Sequence, residues 1–401
     1  MVVDYVPKDL VRDIFLRLPG KSFIRFKSVC KSWCAIFSEP NFIYKALLSH
    51  SEDLNPNHRV LVKSEKHWDF VFSFLSSDTL SMSTPQEIPY PRDIIDKCSF
   101  IDIVGSCCNG LICLRDVYFF KNLLDPWRSI YAYQSNIILW NPTTSETKML
   151  PQSNLLHPPR TFISLGIVEF GFDKRASDYK VFRIFCYLNP PDQSIDYIAE
   201  IYSLRNDSWR KIDFCLKDWR LLCYKYDRIY YYYHRGHTGA NGVFHWWARD
   251  SNRNYAIVSF DLSTEVIKTT ALPEGIGYSC YRTLFSLNDY VAFPHRNDDN
   301  QVELWVLLEY GVKESWTKLY TIPCLGDLCQ PVGFSRNGEL FFSSWTGQLL
   351  VWNPVTETVV YVKVDGVPQT LQAVTYMESH VPLNGGNKFD GEKNFSEANP
   401  S

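Results

Sequence analysis

The sequence predicts a small all-α module followed by a large all-β domain, a β-propeller of six blades with a large twisted sandwich as the alternative. Three observations lead there. Apolar residues keep helical spacing from Pro7 to Phe37 and strand spacing after about residue 58. An aromatic or apolar strand, a polar turn and a return strand recur around Trp140, Tyr202, Phe260, Trp305 and Trp352. Ahead of each recurrence lies a second hairpin-like segment, and two hairpins per repeat make a four-stranded blade.

In the helical part, Leu10, Val11, Ile14, Phe15 and Leu18 recur with a period near that of an α-helix, Pro7 suits its first turn and Asp9 its positive end. Pro19 and Gly20 stop that helix. Ser22 is placed to cap a second, along which Phe23, Phe26, Val29, Cys30 and Trp33 continue the apolar stripe, and Asn41 to cap a third with Phe42, Ala46 and Leu47. Residues 1–48 form this module, and 49–57 read as a polar linker. Three short helices bury too little surface to be comfortable alone. Their apolar face therefore completes a core against another subunit's helices or against the large domain, and both readings stand. Arg17, Lys21, Arg25, Lys27 and Lys31 give the segment a local basic face with no acidic residue between Ile14 and Ser38.

Residues 58–382 make the large domain. Asn109-Gly110, Asn241-Gly242 and Asn337-Gly338 favour the positive backbone angles of tight hairpins. Five units are explicit, and the sixth is assembled from the ends: a hairpin over Arg59–Leu75 and a closing strand over Thr370–Ser379, whose pairing removes open sheet edges. Loop insertions fall at Gln152–Leu165, Tyr187–Tyr197, Lys217–Gly239 and Arg296–Gln301. The third mixes Trp219, Arg220, Tyr224, Tyr226, Arg228 and Tyr230, the residue types of binding hot spots, although alternating tyrosines also suit a plain blade strand. Asp192, Asp196, Asp298 and Asp299 add acidic loop charge suited to a cationic ligand or to solvent. The polar tail, 383–401, is expected to be disordered.

Composition removes several function classes. With 41 basic against 44 acidic side chains and a net charge of -3, no overall cationic field favours nucleic acid or anionic lipid. No run approaches the ~20 apolar residues of a membrane span, so a cytoplasmic or nuclear protein is expected. The 12 cysteines lack a secretory context and read as thiols. Cys30 with Cys34, the group Cys107, Cys108 and Cys113, and His234 with His237 do not make matched zinc pairs, so neither metal nor cofactor is expected. There is no Gly-x-Ser-x-Gly elbow, phosphate loop or dinucleotide fingerprint, and His245 reads as a hydrogen-bonded core residue rather than a general base. No catalytic residue is assigned, with a propeller hydrolase or oxidase as the rival class.

The run VPKDLVRDIFLRLPGKSFIRFKSVCKSWCAIF, Val6 to Phe37, resembles a plant F-box, with Val6 and Gly20 departing mildly from its pattern. The segments GSCCNGLICL, LWNPTTSETKMLP, FGFDKRASDYKVFRI, EIYSLRNDSWRKID, NGVFHWWA and SFDLSTE extend the likeness to the F-box-associated interaction domain, a kelch-like propeller. The resemblance implies a non-catalytic substrate receptor of a ubiquitin ligase, docked on a Skp adaptor and through it on a cullin and a RING subunit, with a protein-binding scaffold that lacks ligase coupling as the alternative. Carried over by position, Pro7, Leu10, Ile14, Leu16, Leu18, Pro19, Ser22, Val29, Cys30 and Trp33 form or support the adaptor contact. EYGVKESWTKLYTI, Glu309 to Ile322, and YMESHVPLN, Tyr376 to Asn384, are similar to S-locus and S-haplotype F-box proteins, which implies S-ribonucleases as targets in self-incompatibility.

Overall fold

The computed structural model describes residues 8–16, 26, 29–36, 42, 58–66, 69–76, 85–91, 100–119, 133–155, 162–189, 194–216, 218–222, 237–240, 242–277, 283–287, 290–323, 326, 328–335, 338–368, 370–379 and 381–383. Two helices are defined in the N-terminal module, α1 (Lys8–Leu16) and α2 (Lys31–Ile36). The stripe predicted to run as one helix from Phe23 through Trp33 is interrupted. Phe26 is helical, but Val29 N–H turns back to Phe26 O (3.2 Å), and the chain restarts as α2 after Cys30.

The rest is a six-bladed propeller whose strands follow one another antiparallel within each blade. Blade 1 holds β1 (His58–Lys66), β2 (Asp69–Ser76) and β3 (Gln86–Ile88). Blade 2 is β4 (Phe100–Cys108), β5 (Leu111–Phe119), β6 (Tyr133–Asn141) and β7 (Glu146–Met149). Blade 3 is β8 (Phe162–Asp173), β9 (Asp178–Asn189), β10 (Ser194–Ser203) and β11 (Ser208–Ile212). Blade 4 contains β12 (Arg220–Leu221), β13 (His237–Ala240), β14 (Val243–Arg249), β15 (Tyr255–Asp261) and β16 (Ile267–Ala271), with β12 and β13 both paired to β14. Blade 5 is β17 (Phe285–Leu287), β18 (Tyr290–Arg296), β19 (Val302–Leu307) and β20 (Trp316–Ile322). Blade 6 is β21 (Leu328–Phe334), β22 (Leu340–Ser344), β23 (Gln348–Asn353) and β24 (Thr358–Asp365), after which β25 (Gln372–Met377) returns to pair with β1 as the innermost strand of blade 1. The ring is thus closed by both chain ends, as the sixth repeat required, and the open edges are removed at the seam.

The recurring aromatics lie on the third strand of their blades. Trp140, Tyr202, Phe260 and Trp352 are buried, each immediately before the residue that opens its turn, and each contributes roughly 1.5–3 kcal/mol by leaving water. Trp305 departs from this pattern. It stands further from its turn and is half-buried, its Nε1 donating to Glu303 (3.0 Å), while Leu304, Val306 and Leu307 carry the burial of that strand. Blade 5 replaces the four-residue turn of its neighbours with a longer connection containing a 3-10 turn at Lys313–Ser315, so matching the repeats on the tryptophan slips the register.

Direction follows from topology. In each blade the first–second and third–fourth turns lie at one end, called here the turn end, while second–third loops and blade-to-blade connections lie at the other, the loop end. The strands that flank the four predicted insertions leave and re-enter at the loop end, between blades for the first and third and between second and third strands for the others. The predicted bounds overlap strand residues at 162–165, 187–189, 194–197, 220–221, 237–239 and 296. β1 begins at the turn end, so the N-terminal module enters the propeller there. Beside that entry the segment after β25 is strapped across blade 2. Asn141 Nδ2 donates to Ser379 O and Val381 O (both 3.0 Å), and Glu146 accepts Leu383 N–H (3.0 Å). The strap needs the Asn109-Gly110 turn: both residues have positive φ, and a Cβ on Gly110 would lie 2.2 Å from Ser379 Cβ.

Candidate functional site

α1 carries two neighbouring apolar stripes, and they go different ways. Val11 and Phe15 face inward. Phe15 stacks on Phe26 (5.5 Å between centroids) and meets Trp33 edge-on (4.8 Å), and Phe15, Ile36 and Phe42 are buried in a cluster that continues into Leu304 and Val306 of blade 5 and Leu340 and Trp352 of blade 6. Leu10 and Ile14, one turn apart on the other stripe, are 52% and 49% exposed, and Val29 is 59% exposed. The inward stripe therefore packs against the propeller, while Leu10 and Ile14 stay in solvent. Trp33 belongs to the inward set and supports the helices rather than facing solvent. Cys30 is exposed just before α2; the Ser32 hydroxyl, 3.1 Å from its Sγ, and the Trp33 amide lower its pKa. Leu16 ends α1, while Pro7, Leu18, Pro19 and Ser22 lie outside the described residues.

At the loop end, Trp219 is half-buried against the core formed with Leu216, Leu221 and Trp246, and its N–H donates to Leu216 O (2.9 Å). It anchors the start of the insertion. Arg220 is exposed on β12, which pairs with Arg249, and Leu221 N–H donates to Tyr197 Oη (3.0 Å). Asp196 and Asp298 are exposed. Tyr224, Tyr226, Arg228, Tyr230 and Asp192 lie outside the described residues.

Sequence reasoning missed Trp345. It is 59% exposed in the loop-end turn between β22 and β23. Two interlocked turns hold it out. Gly347 N–H donates to Ser344 O (3.1 Å), Gly366 N–H to Gly347 O (2.9 Å), and a Cβ on Gly347 (φ +90) would lie 1.8 Å from Gly366 O. The signal was present as Trp-Thr-Gly after an alternating strand, but a tryptophan there reads equally as core.

The buried polar groups are structural. His245 is 1% exposed with Nδ1 2.9 Å from Ser259 Oγ, and burial pushes its pKa down to about 3, leaving it neutral and unable to exchange protons with solvent. Glu200 is held by Arg183 (2.8 Å) and Ser153 (2.5 Å), and the Arg183 guanidinium lies 3.8 Å over the Trp209 ring. Burial raises Cys107 to about 11 and Cys108 to about 12, which keeps both thiols protonated. Among the described residues no three His, Cys, Asp or Glu side chains are grouped to hold a metal ion, and no helix is long and apolar enough to cross a membrane.

The structure thus joins a small helical module to a six-bladed propeller. Residues 5–45 match the F-box domain and residues 59–384 the F-box associated beta propeller domain. The chain belongs to the plant F-box proteins that carry this propeller. It is 25% identical to an F-box/kelch-repeat protein of Arabidopsis thaliana, over 94% of this chain and 96% of that protein, and 26% identical to the F-box protein CPR1 of the same plant, over 86% and 81%. Among solved structures it is similar to the β-propeller domain of the Trilobed protease from Pyrococcus furiosus (TM-score 0.37, 11% identity, 74% of this chain and 99% of that chain).

Proposed function

We propose that this chain is the substrate-recognition subunit of a Skp–cullin–F-box ubiquitin ligase, binding the adaptor through the outward stripe of its helical module and a target protein at the loop end of the propeller. One observation carries the reading: Leu10, Ile14 and Val29 stay in water while the inward stripe of the same small module is satisfied. The chain itself makes and breaks no bond. It holds a target lysine near ubiquitin carried by another subunit, a contribution of proximity. Copurification with a Skp adaptor and cullin tests the first half. Leu10→Asp with Ile14→Asp should reduce adaptor recovery at least about tenfold with a much smaller effect on the unfolding temperature, because about half of each side chain is already solvated. Undiminished recovery sinks the docking assignment.

At the loop end, Trp345 has the exposure and the rigid support of a hot-spot ring. Trp345→Ala should weaken capture of a bound target by about 2 kcal/mol, near thirtyfold, while leaving adaptor recovery unchanged. Equal target affinity of variant and parent in a titration would remove it from the interface. The narrower target, a pistil S-ribonuclease, is supported by the resemblance of Glu309–Ile322 and Tyr376–Asn384. Residues in both segments also serve the fold: Glu309 N–H donates to Ser315 Oγ (3.0 Å), Trp316 Nε1 to Ala271 O (2.9 Å), and Ser379 N–H to Thr143 Oγ1 (3.2 Å). Binding of purified S-ribonucleases to the full chain, against unrelated ribonucleases of similar charge, decides that point; no preference between them rejects it.

A further inference from the structure

We infer that the turn end of blade 3 is a docking surface for a carboxylate-rich segment of a protein partner. Two adjacent turns build it, β8–β9 at 174–177 and β10–β11 at 204–207. They are tied together by Arg205 Nη2 donating to Ser177 O (2.9 Å) and Arg205 N–H donating to Asp178 Oδ1 (3.0 Å). Lys174, Arg175 and Arg205 are exposed on these turns and Lys211 on the outer strand that follows. Neighbouring cations are already neutralised: Arg210 pairs with Glu265, and Lys148 with Asp207 (3.1 Å). None of the four exposed cations has a carboxylate within ion-pairing distance among the described residues.

The two acids that flank the β8–β9 turn point inward, and Asp207 in the second turn, though exposed, is taken by Lys148. Asp173 accepts Arg175 N–H and Ala176 N–H (both 3.0 Å), binds Lys180 (2.5 Å) and takes the Ser263 hydroxyl of blade 4 (2.6 Å). Asp178 accepts Arg205 N–H and the Ser203 hydroxyl (2.6 Å). Both are buried. The carboxylates of these turns are thus buried or already paired while Lys174, Arg175 and Arg205 are displayed, in a protein whose net charge is -3. An isolated positive field of this kind attracts a complementary acidic surface.

The chemistry favours carboxylates over phosphate. A phosphate site draws on free backbone amides converging on one point. Here the amides of Arg175, Ala176, Arg205 and Asn206 are consumed by Asp173, Asp178 and the Ser203 hydroxyl, and the exposed cations are spread over two turns and a strand rather than gathered on one point. No ring is offered for base stacking either: Trp209 is covered by Arg183 and its Nε1 donates to Pro151 O (2.8 Å), and Tyr202 is buried.

The test uses the full chain and a fluorescent twelve-residue oligoglutamate followed by anisotropy. Binding is expected at low salt and should weaken severalfold between about 50 and 200 mM. Lys174→Glu, Arg175→Glu and Arg205→Glu together should weaken it at least about tenfold, whereas Arg249→Glu, Lys313→Glu and Lys363→Glu, the same change in net charge elsewhere, should weaken it less than about twofold. Should the first triple variant fail to fold, Lys174→Gln with Arg175→Gln, which keeps the Arg205 tie, should still weaken binding about threefold. Equal loss from both triple variants, no loss from the blade 3 changes, or tighter binding of a phosphoserine peptide or a DNA duplex than of oligoglutamate would overturn the proposal.

Discussion

His245 shows how far one side chain can be read before and after folding. Its place beside Trp246 and Trp247 already suggested the core, but its pairing with Ser259 depends on the register of β14 against β15, which no local pattern reveals. The register carries a pH consequence. In the unfolded chain the imidazole titrates near its ordinary 6.5, whereas burial holds the native value at about 3. Between these values the unfolded state binds a proton that the native state refuses, so stability falls as pH falls, by about 1.4 kcal/mol per unit from this group alone. Above pH 6.5 both states are neutral and the group adds no slope. Replacing it by His245→Gln should therefore flatten the urea-unfolding free energy between pH 6 and 4 relative to the parent. Parallel curves for the two proteins would contradict the buried neutral imidazole. Exposure is the harder quantity to read at this scale: Trp219 and Trp345 look alike in sequence, yet one is packed on blade 4 and the other stands in solvent.

At the scale of elements, the third–fourth turns of blades 2, 4 and 6 share one construction. Asn141, Asp261 and Asn353 open their turns by accepting two backbone amides each, Thr143 and Thr144, Ser263 and Thr264, and Val355 and Thr356. Each turn closes on a residue in the left-handed region: Ser145 (φ 60), Glu265 (φ 58) and Glu357 (φ 55), with Asp207 (φ 49) in the same place in blade 3. The first half was legible, since Asn or Asp between an aromatic strand and Thr or Ser is a turn signal with a mechanism. The second half was not, because none of these closing residues is glycine and nothing in their side chains announces a positive φ. Two substitutions with opposite signs follow. Asn353→Ala strips both amides of their acceptor and should cost about 1 kcal/mol, while Glu357→Gly relieves the left-handed strain and should gain several tenths of a kcal/mol up to about 1. Thermal unfolding of the pair checks both, and a shift of the same sign in each would refute the shared construction.

The whole molecule was the most legible level in outline, because ring closure needs only a spare strand at each end and both Arg59–Leu75 and Thr370–Ser379 offered one. What the outline lacked was the glue at the seam. Gln372 stands on β25 and acts across the blade boundary: its Oε1 accepts Ile103 N–H (2.9 Å) and Lys63 Nζ (3.2 Å), and its Nε2 donates to Ile103 O (3.0 Å). Lys63 is 1% exposed, lies 4.8 Å from the Phe70 ring and 3.5 Å from Asp102, and would be left as a buried charge without its amide partner. The last strand is thus a tie between blades 1, 2 and 6, with Thr375 Oγ1 donating to Phe334 O (3.0 Å) on the far side. A chain ending at Leu383 keeps every one of these contacts and should unfold at the temperature of the full protein. A chain ending at Asp365 exposes the inner edge of β1, opens the Lys63 site and strips the strap from blade 2. It should lose cooperative thermal unfolding and become sensitive to dilute protease throughout blades 1 and 2. A sharp transition and intact blades in the shorter chain would show that closure is supplied elsewhere.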